Sequence, residues 1–211
     1  MVDFSLYLIT DRMQTAGRAL SAVVADAVRG GLRAVQLREK DLNSCQLFEL
    51  AGELRNVTRA SGAYLLINDR IDVALAVGAD GVQLGQAGIP VAAARRLLGS
   101  GRIIGYSAHS VEEAFRAEHD GADFVTFGPV YATPSKAGYG APLGLAPLAE
   151  AVKKLTIPVF ALGGVKISTT AEVLSSGVHG IALISAIIAA RNPTLETELF
   201  LQIIARYDKR S

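Results

Sequence analysis

Short β-branched and apolar runs alternate along the chain with longer stretches whose apolar positions recur at helical spacing. The extended runs fall at Leu6–Thr10, Ala34–Arg38, Tyr64–Asn68, Gly81–Leu84, Ile103–Ser107, Phe124–Phe127, Pro158–Leu162 and Gly180–Ile184, and they read as strands. In the stretch after the first, Leu20, Val23, Val24, Ala27 and Val28 share one face of a half-buried helix. In the last, Leu195, Leu199 and Ile203 mark the expected core-facing stripe. Eight strand–helix pairs predict a single (β/α)8 barrel over residues 1–211. An open doubly wound sheet alternates in the same way. However, Thr10-Asp11-Arg12 stands after the first strand, where its glycine-rich phosphate turn would be.

An internal repeat supports the barrel. The segments beginning Gly31-Leu-Arg-Ala-Val-Gln-Leu, Gly78-Ala-Asp-Gly-Val-Gln-Leu, Gly121-Ala-Asp-Phe-Val-Thr-Phe and Gly177-Val-His-Gly-Ile-Ala-Leu align without gaps, each before an even-numbered strand. Glycine at each start predicts a left-handed turn that ends a helix and leads the chain into the strand.

Composition narrows the partners. With 21 Lys and Arg against 20 Asp and Glu the net charge is +1, so no one-signed field invites nucleic acid. No apolar run approaches the roughly 18 residues of a membrane span. The opening Met1-Val2-Asp3-Phe4-Ser5 lacks the basic and apolar segments of a secretory leader, and Cys45 is the only cysteine, so an intrachain disulfide is ruled out. The expectation is a cytoplasmic protein that binds small molecules; a homo-oligomer is left open.

In such a barrel the loops after the strands build the active face. Gln36, Arg38 and Lys40 alternate toward one side if the second strand runs that far, and two cations there suit a pyrophosphate. The same residues also suit a surface salt-bridge set with Glu39 and Asp41. Asp69, after Tyr64-Leu-Leu-Ile-Asn68, is either a helix N-cap or a Mg²⁺ ligand. Ser107 and His109 end the fifth strand, and His109 is either an acid/base or a loop anchor. Thr133-Pro134-Ser135-Lys136 opens a long loop to about Gly144, in which Gly138 and Gly140 would permit lid motion. Gly163-Gly164 and Ser185, which begins an expected short extra helix, match the phosphate site that barrels build after strands seven and eight.

These residues, in this order, resemble the thiamine phosphate synthase family and its close relative, the thiazole tautomerases. The resemblance runs from Leu6-Tyr-Leu-Ile-Thr-Asp11 to Ile184-Ser-Ala-Ile187. It rests on Gln36-Leu-Arg-Glu-Lys40, Asn68-Asp69-Arg70, Gly85-Gln86, Ser107-Ala-His-Ser110, Phe127-Gly-Pro-Val-Tyr-Ala-Thr133 and Gly163-Gly164. It implies a transferase that joins hydroxymethylpyrimidine diphosphate to thiazole phosphate and releases pyrophosphate. By the same resemblance Gln36, Arg38, Lys40 and Asn68 hold the diphosphate and Asp69 binds Mg²⁺. Ser107 and Lys136 receive pyrophosphate, while Thr133, Ser135, Gly164, Ile184 and Ser185 meet the thiazole phosphate.

One position departs from the family pattern. Two places after Gln86, where the synthases carry a second acidic metal ligand, this chain has Gly88. A metal-free tautomerase with His109 as proton shuttle is the alternative that this loss favours, and a non-catalytic phosphate-binding barrel is a third. The persistence of Lys40 and Asp69 favours the synthase.

Overall fold

The computed structural model describes residues 2–133 and 141–207. Eight parallel strands close a barrel in chain order: β1 (Leu6–Ile9), β2 (Ala34–Leu37), β3 (Tyr64–Asn68), β4 (Gly81–Leu84), β5 (Ile103–Ala108), β6 (Phe124–Phe127), β7 (Val159–Leu162) and β8 (Gly180–Leu183). Pairing of Leu6 with Ile181 joins the last strand to the first. Strands β1, β2 and β8 stop one residue short of the predicted ends, β5 runs one further, and β7 starts after Pro158. Outside them pack α1 (Leu20–Arg29), α2 (Ser44–Ser61), α3 (Ile71–Ala76), α4 (Val91–Leu98), α5 (Val111–His119), α6 (Leu145–Lys154), α7 (Ile167–Ser175), α8 (Ser185–Ile188) and α9 (Pro193–Ala205).

The repeat is structural. Gly31, Gly78, Gly121 and Gly177 have φ of +97°, +62°, +100° and +86°, and each lies three residues before its strand. In two copies the third residue is an acid that ties the amino-terminal rim together. Asp80 takes Arg55 Nη1 at 2.7 Å and the Leu65 N–H at 2.8 Å. Asp123 takes Arg95 Nη2 at 2.6 Å and the Ile104 N–H at 2.7 Å.

Two apolar layers result. One lies between strands and helices; the other fills the barrel, where Phe4, Tyr7, Phe124 and Phe160 pack with ring centroids 5.3–6.3 Å apart. Aromatic packing fills the barrel interior at the amino-terminal ends of the strands.

The last helix turns a different face inward from the expected one. It buries Pro193, Thr197, Phe200 and Ile204, and leaves Leu195 and Leu199 exposed. Apolar residues run nearly all round α9, so its periodicity does not define one stripe. Packing against α1 and α7 selects the face instead.

Candidate active site

Above the aromatic floor, the barrel interior becomes polar. Gln36 Nε2 donates to the Tyr7 hydroxyl (3.3 Å), which donates to Gln83 Oε1 (3.3 Å). Gln83 Nε2 donates to Ser107 Oγ (3.0 Å) and Thr126 Oγ1 (3.3 Å), and Thr126 Oγ1 lies 3.4 Å from Ser107 Oγ. Gly105 makes room for this network, since a Cβ there would collide with Gln83 Oε1 and the Phe124 ring. Tyr7 is fully buried, and desolvation holds its phenol protonated far above the ordinary tyrosine range. Tyr7, Gln83 and Thr126 were not singled out from the sequence. For Gln83 and Thr126 the signal is the repeat itself, in which they share the position of Gln36; for Tyr7 the sequence carries none.

At the ends of β1 and β2 the acids are already engaged. Buried Glu39 accepts from Thr10 Oγ1 at 2.6 Å and from the Arg12 N–H at 3.1 Å, and Arg12 makes a two-pronged pair with Asp41, both contacts at 2.6 Å. That guanidinium holds the Asp41 carboxyl below its usual range. Thr10 Oγ1 also accepts the Arg38 N–H at 2.9 Å, so the network fixes the backbone that carries both cations. Arg38 is half-buried and Lys40 exposed. Among the described residues no acid pairs with either. The salt-bridge reading of this cluster is therefore met by Arg12, and Arg38 and Lys40 stay available to an anion.

Asp69 is not a helix cap: Arg70 occupies the N-cap of α3, with no side-chain capping bond. Asp69 sits at φ +57°, a left-handed conformation that aspartate tolerates better than most residues. Its Oδ2 accepts from Asn68 Nδ2 at 2.8 Å, while its Oδ1 is buried without a hydrogen-bond partner. A Cβ placed on Gly88 would lie 2.7 Å from that orphaned oxygen. Position 88 thus faces the Asp69 carboxylate, as its place in the motif implies. Among the described residues no cluster of three His, Cys, Asp or Glu residues gathers to bind a metal. One inward carboxylate oxygen without a partner fits a Mg²⁺ that takes most of its ligands from water and substrate phosphate.

Across the mouth, Gly163 (φ +101°) and Gly164 (φ +68°) end β7 under the chain that leaves β6. The Val130 and Tyr131 N–H groups donate to Leu162 O and Gly163 O at 2.9 and 3.0 Å, and a Cβ on Gly164 would meet Tyr131 Cβ at 2.7 Å. Leu143 N–H to Pro129 O (2.8 Å) and Gly144 N–H to Val130 O (3.1 Å) bring the chain leading into α6 back against the segment that leaves β6. Thr133 lies on its described part; Ser135, Lys136, Gly138 and Gly140 lie outside the described residues. The extra helix appears as α8, starting at exposed Ser185, with half-buried Ile184 as its N-cap. His109 is exposed, and its Nδ1 is 2.6 Å from Gly128 O. A carbonyl only accepts, so Nδ1 carries the proton and the ring anchors the β5 loop to β6.

A family model described as thiamine monophosphate synthase matches residues 6–187. The chain belongs to this family. A Geobacter sulfurreducens protein named, provisionally, a thiamine-phosphate synthase is 58% identical over 203 residues, covering 96% of this chain and 95% of that one. The thiamine-phosphate synthase of Chloroflexus aurantiacus is 45% identical over 194 residues, covering 92% and 89%. Among solved structures, the thiamine phosphate pyrophosphorylase of Pyrococcus furiosus superposes with a TM-score of 0.88 at 38% identity, covering 96% of each chain. As a member of the thiamine monophosphate synthase family, the chain is an enzyme, a transferase of thiamine biosynthesis.

Proposed function

We propose that this synthase binds its two substrates on opposite sides of the mouth. Gln36, Arg38, Lys40 and Asn68 hold the pyrimidine diphosphate, with Asp69 as the protein's ligand to Mg²⁺. Thr133, Ser135, Gly164, Ile184 and Ser185 receive the thiazole phosphate, and Ser107 and Lys136 take the departing pyrophosphate. The observation that carries this reading is the charge left open at neighbouring strand ends. Arg38 and Lys40 have no acidic partner among the described residues, and Asp69 Oδ1 is buried with none.

The chemistry asks little of side-chain nucleophiles. The bond from the pyrimidine methylene carbon to the diphosphate oxygen breaks with its electron pair going to pyrophosphate, and the thiazole nitrogen lone pair then closes the new C–N bond. Bound Mg²⁺ would supply neutralisation of the leaving charge. Arg38, Lys40 and Ser107 orient the diphosphate and stabilise the same charge by donating hydrogen bonds. With no proton to abstract, His109 can remain a loop anchor. The proposal extends to a cytoplasmic location, which the sole cysteine, Cys45, accords with. No helix among the described residues is long and apolar enough to cross a membrane.

The test is to supply pyrimidine diphosphate and thiazole phosphate with Mg²⁺ or with a chelator. Thiamine phosphate should form only with the metal. Formation unaffected by chelation would refute the role given to Asp69.

A further inference from the structure

The polar network inside the barrel has a direction. Each phenol or hydroxyl has one hydrogen to give, and each amide has one carbonyl and two N–H hydrogens. Tyr7 accepts from Gln36 and gives its only proton to Gln83 Oε1. The Gln83 carbonyl is thereby occupied, and its two N–H bonds go to Ser107 and Thr126. Thr126 in turn donates to Ser107 Oγ. Ser107 therefore accepts twice from below, and its own proton is left for whatever sits above it. At the other end, Gln36 spends an N–H on Tyr7, which leaves its carbonyl free of that contact.

We propose that Tyr7 and Gln83 are positioning residues that make Ser107 a hydrogen-bond donor to a substrate oxygen, and that they couple this state to the orientation of the Gln36 amide. Reversing the direction is collective: both amides must turn over, and Tyr7 must then donate to Gln36. Turning Gln83 alone would leave the Tyr7 proton facing an N–H in a fully buried setting, where an unmade hydrogen bond is costly. Burial keeps Tyr7 protonated, so its proton must always find an acceptor. A group that donates to the Gln36 carbonyl thus favours the same direction as an anionic oxygen on Ser107. The two ends of the substrate reinforce one another through residues that need not touch it.

This inference rests on Ser107 meeting pyrophosphate, and the experiment separates the two ideas. Binding of magnesium pyrophosphate is measured by calorimetry for the parent, Ser107→Ala, Tyr7→Phe and the double variant. Ser107→Ala should weaken binding about 10-fold, the scale of one hydrogen bond to a charged group. Tyr7→Phe lets the Gln83 amide turn over and draw the Ser107 proton inward, so it should cost a similar factor. The double variant should bind no more weakly than Ser107→Ala alone. If Ser107→Ala binds normally, the placement of pyrophosphate is wrong. If Tyr7→Phe has no effect, or its loss multiplies with that of Ser107→Ala, the relay is overturned. Gln83→Glu poses the same question should Tyr7→Phe fail to fold. A carboxylate there can only accept, so its loss should likewise merge with that of Ser107→Ala.

Discussion

At the amino-terminal rim of the barrel, Asp80 and Asp123 each meet an arginine at 2.6–2.7 Å and each also accepts a backbone N–H. At the carboxyl-terminal rim, Arg38 and Lys40 have no acidic partner among the described residues, and Asp69 Oδ1 is buried with none. The strands are the same at both ends; what differs is whether charge is used up within the fold. A satisfied pair holds the chain together, whereas an unsatisfied buried polar atom costs stability and persists where a ligand completes it. The contrast is not absolute: Arg55 Nε lacks a partner below, and Arg12, Glu39 and Asp41 form a closed network above. That upper network supports the backbone from which Arg38 and Lys40 project, so it serves the open rim.

Removing the open acid should have the largest effect. Asp69→Ala takes away the carboxylate proposed to hold Mg²⁺, and kcat/KM for thiamine phosphate formation should fall by about 100-fold or more, the scale of losing a preorganised electrostatic contact in a catalytic site. Thermal stability should change little: the unpartnered buried oxygen disappears, but alanine tolerates the left-handed φ of +57° less well than aspartate and the Asn68 hydrogen bond is lost. A marked fall in Tm with little loss of rate would reverse the roles given to the two rims.

The amino-terminal rim should show the opposite pattern. Asp123→Ala leaves the Ile104 N–H without its acceptor and the Arg95 guanidinium, still bonded to the Gly99, Arg102 and Gly121 carbonyls, without its acid, at a cost of about 2 kcal/mol. In a chain of this length that lowers Tm by roughly 4–8 °C. The rate below the melting transition should change less than twofold, as assayed at 25 °C.

The barrel was legible because its signal is repeated: eight alternations and four aligned glycines overdetermine the fold. Legibility failed where the period was ambiguous, as on α9, or where two roles share one residue type. An aspartate after a strand suits a helix cap or a metal equally well, and it takes the position of Arg70 at the N-cap to remove the first. Likewise Glu39 and Asp41 lie next to Arg38 and Lys40 in sequence, yet they reach across to Arg12 on the neighbouring strand end. Tyr7 was passed over because a tyrosine in an apolar strand reads as core. Its hydroxyl acquires a role only through partners 29 and 76 residues away.

The smallest expected effect concerns Gly88, where the open rim is more open than the family pattern. An added Cβ there falls 2.7 Å from Asp69 Oδ1, so a side chain at this position must displace the carboxylate, which lies at the tip of a side chain and moves at little cost. In Gly88→Asp the two carboxylates repel when no cation is present and share one when it is. Mg²⁺ affinity in the absence of diphosphate should rise several-fold, because a second carboxylate replaces water as a ligand. Once diphosphate is bound and supplies its own oxygens, the gain should shrink, and kcat at saturating Mg²⁺ should stay within about threefold of the parent. Mn²⁺ titration followed by paramagnetic resonance, with and without pyrophosphate, reads both quantities. Equal affinity in variant and parent without pyrophosphate would mean that position 88 does not face the metal, and the openness of this rim would then rest on Arg38 and Lys40 alone.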